Sequence, residues 1–295
     1  MTMLRELEER GKRLLPQSAR DLAKHGLRGL GILTSPLRGL PDFLIIGTKR
    51  GGTTSLYNYL LAHPLVAPLF PAAQNIKGVH FFDTNFARGR AWYRSHFPIM
   101  KMAWPRRVIV GEASPYYLFH PHAPRRAHEL VPDARIIVLL RDPIERAYSH
   151  YKERVRNGTE PLTFEDALTA EPERLAGEVD RMRRDPGYVS FAHEHQSYAS
   201  QGIYLPQLQA WTSRFPRGRF CVTRSEDMFA DPQAVYRRVL GFLGLPLWEP
   251  PRFERFNFHP SQDMPVTVRD ELLGFFAPHN RRLAEFLRID LGWDD

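Results

Sequence analysis

The chain has 295 residues, 43% of them hydrophobic and 25% charged, with a formal net charge of +8 and a pI of about 9.7. That length holds a sizeable core in one large domain or two small ones. The single cysteine excludes an internal disulfide, and no apolar run approaches the ~20 residues that span a bilayer. The positive excess suits an anionic ligand, a nucleic acid, an acidic membrane surface or simply a solvated basic surface.

Residues 1–40 stand apart, with eight Lys/Arg against four Asp/Glu. Leu4, Leu7, Leu14 and Leu15 have helical spacing, with charges between them. The segment reads as a basic helical extension. Docking on the body and peripheral contact with a membrane are its two readings. The opening residues lack a signal-peptide apolar stretch, so a reducing cytoplasm is the expected location.

Residues 41–295 alternate strand and helix. Phe43–Ile46, Val108–Val110, Arg135–Leu140 and Phe220–Thr223 are short apolar runs, as buried parallel strands are. Cys221 falls in the last of them and reads as a small core residue. Helical stretches at Thr54–Ala62, Pro124–Leu130, Pro143–Arg156 and Pro232–Leu243 lie between and after the strands. The alternation predicts an α/β fold, a mostly parallel central sheet with helices on both faces. Ligands in such sheets bind at the carboxyl ends of the strands.

The first strand-to-helix junction reads IIGTKRGGTT over residues 45–54. Gly51 and Gly52 permit a tight bend and close approach to a ligand. Loop and first-turn N–H groups then face an anion, and Thr53 and Thr54 add hydroxyls. Gly47 and Gly52 have the spacing of a triphosphate loop, but Thr53 stands where its lysine belongs. The cations, Lys49 and Arg50, come earlier.

The second junction, RIIVLLRDPIERAYSHYKE, puts Arg141 at a strand's carboxyl end. Asp142 is a good N-cap and Pro143 suits the first helical position. Ser149 lies two turns into the helix.

Together, the two junctions resemble those of sulfotransferases that use 3′-phosphoadenosine 5′-phosphosulfate (PAPS), above all the Golgi heparan-sulfate type and its bacterial relatives. The resemblance covers residues 42–295, with further echoes in HFFD (80–83), GEASPYY (111–117), GIYLPQLQAW (202–211) and RSEDMFADP (224–232). It implies a P-loop-NTPase-like fold and in-line transfer of a sulfuryl group to a hydroxyl or amine, without a metal. The acceptor it implies is a small molecule, a glycolipid or a carbohydrate. In the family's pattern, Arg50 through Thr53 grip the phosphosulfate end, and Arg141 with Ser149 grip the 3′-phosphate. Tyr204 faces the adenine or the acceptor; a core tyrosine is the other reading. A loop at 256–265 closes over the nucleotide.

Two departures matter. Arg50 aligns with the family's loop lysine, which leaves Lys49 and Arg50 as rival catalytic cations. Gly78 occupies the place of the usual catalytic glutamate. The base must then come from elsewhere, with His80 first, Glu112 second and Asp83 third.

The polar, aromatic stretch 178–201 reads either as an acceptor wall or as solvated surface. A P-loop nucleotide kinase and a non-catalytic basic binding module for glycan or nucleic acid are the competing classes. The missing loop lysine counts against the first. Idle phosphate loops and the lack of a nucleic-acid-binding pattern count against the second.

Overall fold

The computed structural model describes residues 26–74, 76–99, 108–254, 256 and 264–293. Five parallel strands form the sheet: β1 (Phe43–Gly47), β2 (Val66–Ala67), β3 (Ile109–Ala113), β4 (Arg135–Leu140) and β5 (Phe220–Arg224). Their spatial order is β2-β3-β1-β4-β5. Four coincide closely with the apolar runs. β2 is two residues long, too short to carry a period, and no sequence signal marks it.

Residues 26–33 form helix α1. The other helices, in chain order, are α2 (Thr53–Ala62), α3 (Gly89–Arg94), α4 (Ala123–Leu130), α5 (Pro143–Arg156), α6 (Phe164–Leu175), α7 (Glu178–Arg184), α8 (Phe191–His195), α9 (Tyr204–Thr212), α10 (Ser225–Ala230), α11 (Pro232–Leu243) and α12 (Val266–Leu287).

Strand residues alternate between two cores, as the two-residue period requires. Leu44, Ile46, Ile136, Val138 and Leu140 pack with α4 and α9 on one face. Phe43, Ile45, Ile137, Leu139 and Cys221 pack with α2 and α11 on the other. A third cluster joins α5, α6 and α12 through Ile144, Phe164, Leu272 and Phe276.

The spacing of α12 suggests a core face of Phe275, Phe276, Leu283 and Phe286. The structure corrects the first of these: Phe276 and Leu283 are buried, Phe286 is partly buried, and Phe275 is exposed. Adjacent helical residues point about 100° apart, so Phe275 and Phe276 cannot share one seam.

Residues 26–40 dock on the body through their small and cationic side chains. Arg28 donates to Ser95 O and Oγ, at 3.0 and 3.1 Å. Arg38 is buried, donates to Phe97 O and lies over the Phe70 ring. Leu30, Leu33 and Leu37 point outward, Leu33 being 81% exposed. Residues 1–25, with the leucine pattern, and residues 257–263, most of the expected nucleotide loop, lie outside the described residues. The chain approaching that loop is tied to α2: Tyr59 donates to Glu254 O, and Phe256 N to Ser55 Oγ.

The sheet order decides where the site forms. β1 lies between β3 and β4, with Leu44 opposite Glu112 and Ile136. The glycine loop after β1 is therefore flanked by the end of β3 on one side and Arg141 on the other. Gly111 faces Phe43 across the β1–β3 pair, and a Cβ there would lie 2.4 Å from the Phe43 ring. Gly111→Ala is expected to destabilise the fold by about 1–3 kcal/mol through overpacking, measured by urea unfolding.

Candidate active site

The glycine loop is held from three sides. Thr48 N donates to Leu139 O at 2.7 Å, Ser225 Oγ to Gly51 O at 2.8 Å, and Arg141 NH1 to Arg50 O at 2.9 Å. Gly52 takes a left-handed φ of 83°, and a Cβ there would sit 2.4 Å from Met228 Cε. Only glycine fits both conditions. The loop ends at the N-terminus of α2, whose first turn contains no acidic residue. First-turn N–H groups have no acceptor within the helix, and the helix dipole adds positive potential there.

Arg50 and Ser149 meet: Arg50 Nε donates to Ser149 Oγ at 3.0 Å. Glu153, one turn further along α5, accepts from Arg50 NH1 at 3.3 Å. Arg141 stands beside them through its bond to Arg50 O. Asp142 caps α5 by accepting from Ile144 N and Glu145 N. It is steadied by Glu226, which accepts from Asp142 N at 2.9 Å. Tyr204 does not line the cleft. It is buried and donates to Arg141 O at 2.8 Å, so it supports the arginine from behind.

Lys49 turns the other way. Its ammonium donates to Glu194 O at 2.8 Å and to Glu194 Oε1 at 3.2 Å, with Nζ 5.2 Å from the centre of the Tyr116 ring. The Tyr116 hydroxyl is hydrogen-bonded to His193 Nδ1, anchoring α8. Arg154 NH1 lies 3.0 Å from His195 Nδ1. The stretch 178–201 thus divides. Arg181 and Arg183 on α7 make exposed ion pairs, while Glu194 and His195 on α8 reach the cleft.

The stretch 77–83 crosses the carboxyl end of β3. Lys77 O accepts from Ala113 N at 2.9 Å. Lys77 Nζ donates to Thr54 Oγ1 at 2.9 Å and Thr53 Oγ1 at 3.3 Å, over the start of α2. Sequence reasoning passed over this lysine. The signal was present in NIKGVHFFD, three residues before His80, but nothing local shows that the chain folds back onto the loop. Glu153 and Glu194 were missed for the same reason.

His80 has a φ of 52°, rare for a side chain with a Cβ. Ser114 Oγ accepts from His80 N at 3.0 Å. His80 Nδ1 lies 2.9 Å from Asp83 Oδ2, and the ring is 36% exposed. Burial disfavours the imidazolium, but Asp83 outweighs it, and the His80 pKa is raised. The remaining ring nitrogen, Nε2, makes no hydrogen bond among the described residues.

Glu112 is the opposite case. It is 0% exposed. One carboxylate oxygen accepts from Val79 N and Ser114 Oγ, both at 2.7 Å; the other accepts from Tyr93 and Tyr117, at 2.7 and 3.0 Å. Burial pushes its pKa up against the pull of these four bonds. With both oxygens occupied inside the core, Glu112 is placed to position the His80 segment and not to meet an acceptor.

The cradle fits a nucleotide that carries two anionic groups. One end offers the α2 N-terminus with Lys77, Thr53 and Thr54; the other offers Arg50, Arg141 and Ser149. Among the described residues, no group of three His, Cys, Asp or Glu could hold a metal ion.

A family model described as "Sulfotransferase domain" matches residues 40–263. The chain belongs to that family. A solved sulfotransferase from Alicyclobacillus acidocaldarius is 30% identical; the match covers 87% of this chain and all of that one, with a TM-score of 0.64. Heparan sulfate glucosamine 3-O-sulfotransferase 6 of Mus musculus is 29% identical over 90% of this chain and 78% of its own length. The membrane-associated sulfotransferase kil1 of Dictyostelium discoideum is 24% identical over 87% and 67%. The protein is therefore a PAPS-dependent sulfotransferase with the expected P-loop-like α/β fold, and the kinase and binding-module readings fall away.

In this enzyme Glu112→Gln places an amide against donors, one of them the fixed Val79 N–H. It is expected to lower stability by about 1–3 kcal/mol, read from thermal and urea unfolding.

Proposed function

We propose that the enzyme moves the sulfuryl group of PAPS onto a hydroxyl or amine of a carbohydrate, glycolipid or small-molecule acceptor by in-line attack. A sugar hydroxyl is the favoured acceptor, because the mouse relative is named for 3-O-sulfation of heparan sulfate glucosamine. One observation carries the mechanism: residues 77–83 run from the donor cradle at Lys77 to the His80–Asp83 pair. A proton acceptor thereby stands beside the cradle.

Each residue has a part. Gly51, Gly52, Thr53 and Thr54 receive the phosphosulfate end through backbone N–H and hydroxyl donors. Arg141, Ser149 and Arg50 receive the 3′-phosphate, with Tyr204 holding Arg141. His80 Nε2 takes the acceptor's proton while Asp83 fixes the ring through Nδ1. Glu112 holds the His80 segment through Val79 N and Ser114. Lys49 faces the acceptor side with Glu194. No metal has a part in this scheme.

His80→Ala is expected to cut turnover by about 10²–10⁴-fold with adenosine 3′,5′-bisphosphate binding intact. Neutral imidazole is the active form and the His80 pKa is raised. kcat/KM therefore rises with pH through a value above 6.5. Asp83→Asn removes the charge that raises it, so this limb moves to lower pH. A pH–rate series with labelled PAPS and heparan sulfate as acceptor probe measures both. An unchanged limb in Asp83→Asn would sink the base assignment.

The extension, residues 1–40, is proposed as an appendage to the catalytic domain of 41–295 that rests against a lipid surface. Its basic excess and the outward Leu30, Leu33 and Leu37 support this. No described helix is long and apolar enough to cross a membrane. A cytoplasmic location rests on the single buried cysteine. Leu30→Glu with Leu33→Glu is expected to abolish co-sedimentation with phosphatidylglycerol vesicles without lowering the melting temperature. Retained sedimentation would refute the contact.

A further inference from the structure

Of the cations that border the donor cradle, Arg141 lies 3.7 Å from Glu145, and the surroundings of the other three differ. Lys49 is paired with Glu194 at 3.2 Å and Arg50 with Glu153 at 3.3 Å. Both pairs are mostly shielded from water. Lys77 makes no ion pair among the described residues; the partners of its ammonium are two neutral hydroxyls, Thr53 and Thr54. A shielded ammonium without a carboxylate is costly unless an anion completes its shell. Two of its three N–H donors are spent on the threonines, leaving one for a ligand.

The path of the backbone explains how Lys77 arrives there. Gly78 lies against the end of β3. A Cβ at that position would be 2.5 Å from Ala113 O and 2.7 Å from Ser114 Oγ. Without a side chain, the segment closes onto β3 through the Ala113 N to Lys77 O bond.

We propose that Lys77 is the catalytic cation of the donor cradle, binding the 5′-phosphate of PAPS and taking up the charge that develops on its bridging oxygen. The inference rests on the PAPS reading above. In the transfer, the acceptor oxygen bonds to sulfur and the bond from sulfur to the bridging oxygen breaks. That electron pair stays on the 5′-phosphate of adenosine 3′,5′-bisphosphate, and the acceptor's proton passes to His80 Nε2. Lys77 acts by charge and gives up no proton. Such stabilisation is strongest where donors are fixed before charge appears, and the two threonines fix this ammonium. Lys49 and Arg50, by contrast, must first be drawn from their carboxylates.

The test is calorimetric titration of wild type, Lys77→Met and Lys77→Arg with adenosine 3′,5′-bisphosphate and with adenosine 3′-monophosphate, which lacks the 5′-phosphate. Lys77→Met should weaken the bisphosphate by about 10- to 100-fold, the worth of one charge-assisted bond. It should leave the monophosphate within about twofold. Lys77→Arg should restore part of the loss. Burial lowers the Lys77 pKa to about 8, against the opposing pull of the Glu153 carboxylate and with Arg50 adding to the fall. Bisphosphate affinity in wild type should therefore fall as pH rises through that region, and this dependence should vanish in Lys77→Met and Lys77→Arg. Equal bisphosphate affinity in wild type and a folded Lys77→Met would overturn the role of Lys77 and leave the PAPS reading standing. A wild type that binds neither nucleotide would overturn both.

Discussion

One buried carboxylate at the end of β3 sets the shape of the segment that carries His80. Glu112 has no contact with water and accepts four hydrogen bonds. Burying an ionised carboxylate costs several kcal/mol, and only a full set of donors offsets it. The donors come from three separate pieces of chain: Tyr93 in α3, Val79 in the catalytic segment, and Ser114 with Tyr117 beyond β3. None of these pieces can shift without leaving the carboxylate short of a partner. Ser114 passes the constraint on, since its oxygen also receives His80 N and so helps hold that residue at its unusual φ.

Charge in the cleft follows a second rule. The enzyme must gather cations for a doubly anionic donor while remaining folded without it. Glu153 and Glu194 solve this for Arg50 and Lys49. Arg154 pairs with Glu153 and donates to His195, whose pKa burial lowers to about 4, so that ring adds no positive charge beside the glycine loop. α8 therefore carries the carboxylate that pairs with the lysine of the glycine loop.

Strands and helices could be read from the sequence because their signals are local. Two of the four apolar runs ended at glycine, and Asp142-Pro143 announced α5 at the residue where it begins. The glycine loop and Arg141 were legible because each sits at a junction where a strand hands over to a helix; Ser149, two turns into α5, was singled out only by the family resemblance. Other assignments needed the third dimension. Tyr204 reads equally well as a ligand or a core residue, and only its bond to Arg141 O separates the two. Glu112 follows an apolar strand just as a catalytic carboxylate does. The tyrosines that saturate it lie 19 residues before it and five after it.

By itself, then, the sequence determined the parallel α/β architecture, the two strand-to-helix junctions and the kinship with PAPS-dependent enzymes. Each of these is written in short stretches whose hydrophobic period, glycines and caps act on their own neighbours. Tertiary structure alone decided which cation meets which anion, because that depends on the order of strands in the sheet. Placing β1 between β3 and β4 brings the glycine loop, Arg141 and the segment from Lys77 to His80 to one edge. Lys77 is separated from Thr54 by 23 residues and Lys49 from Glu194 by 145, distances over which no sequence period survives.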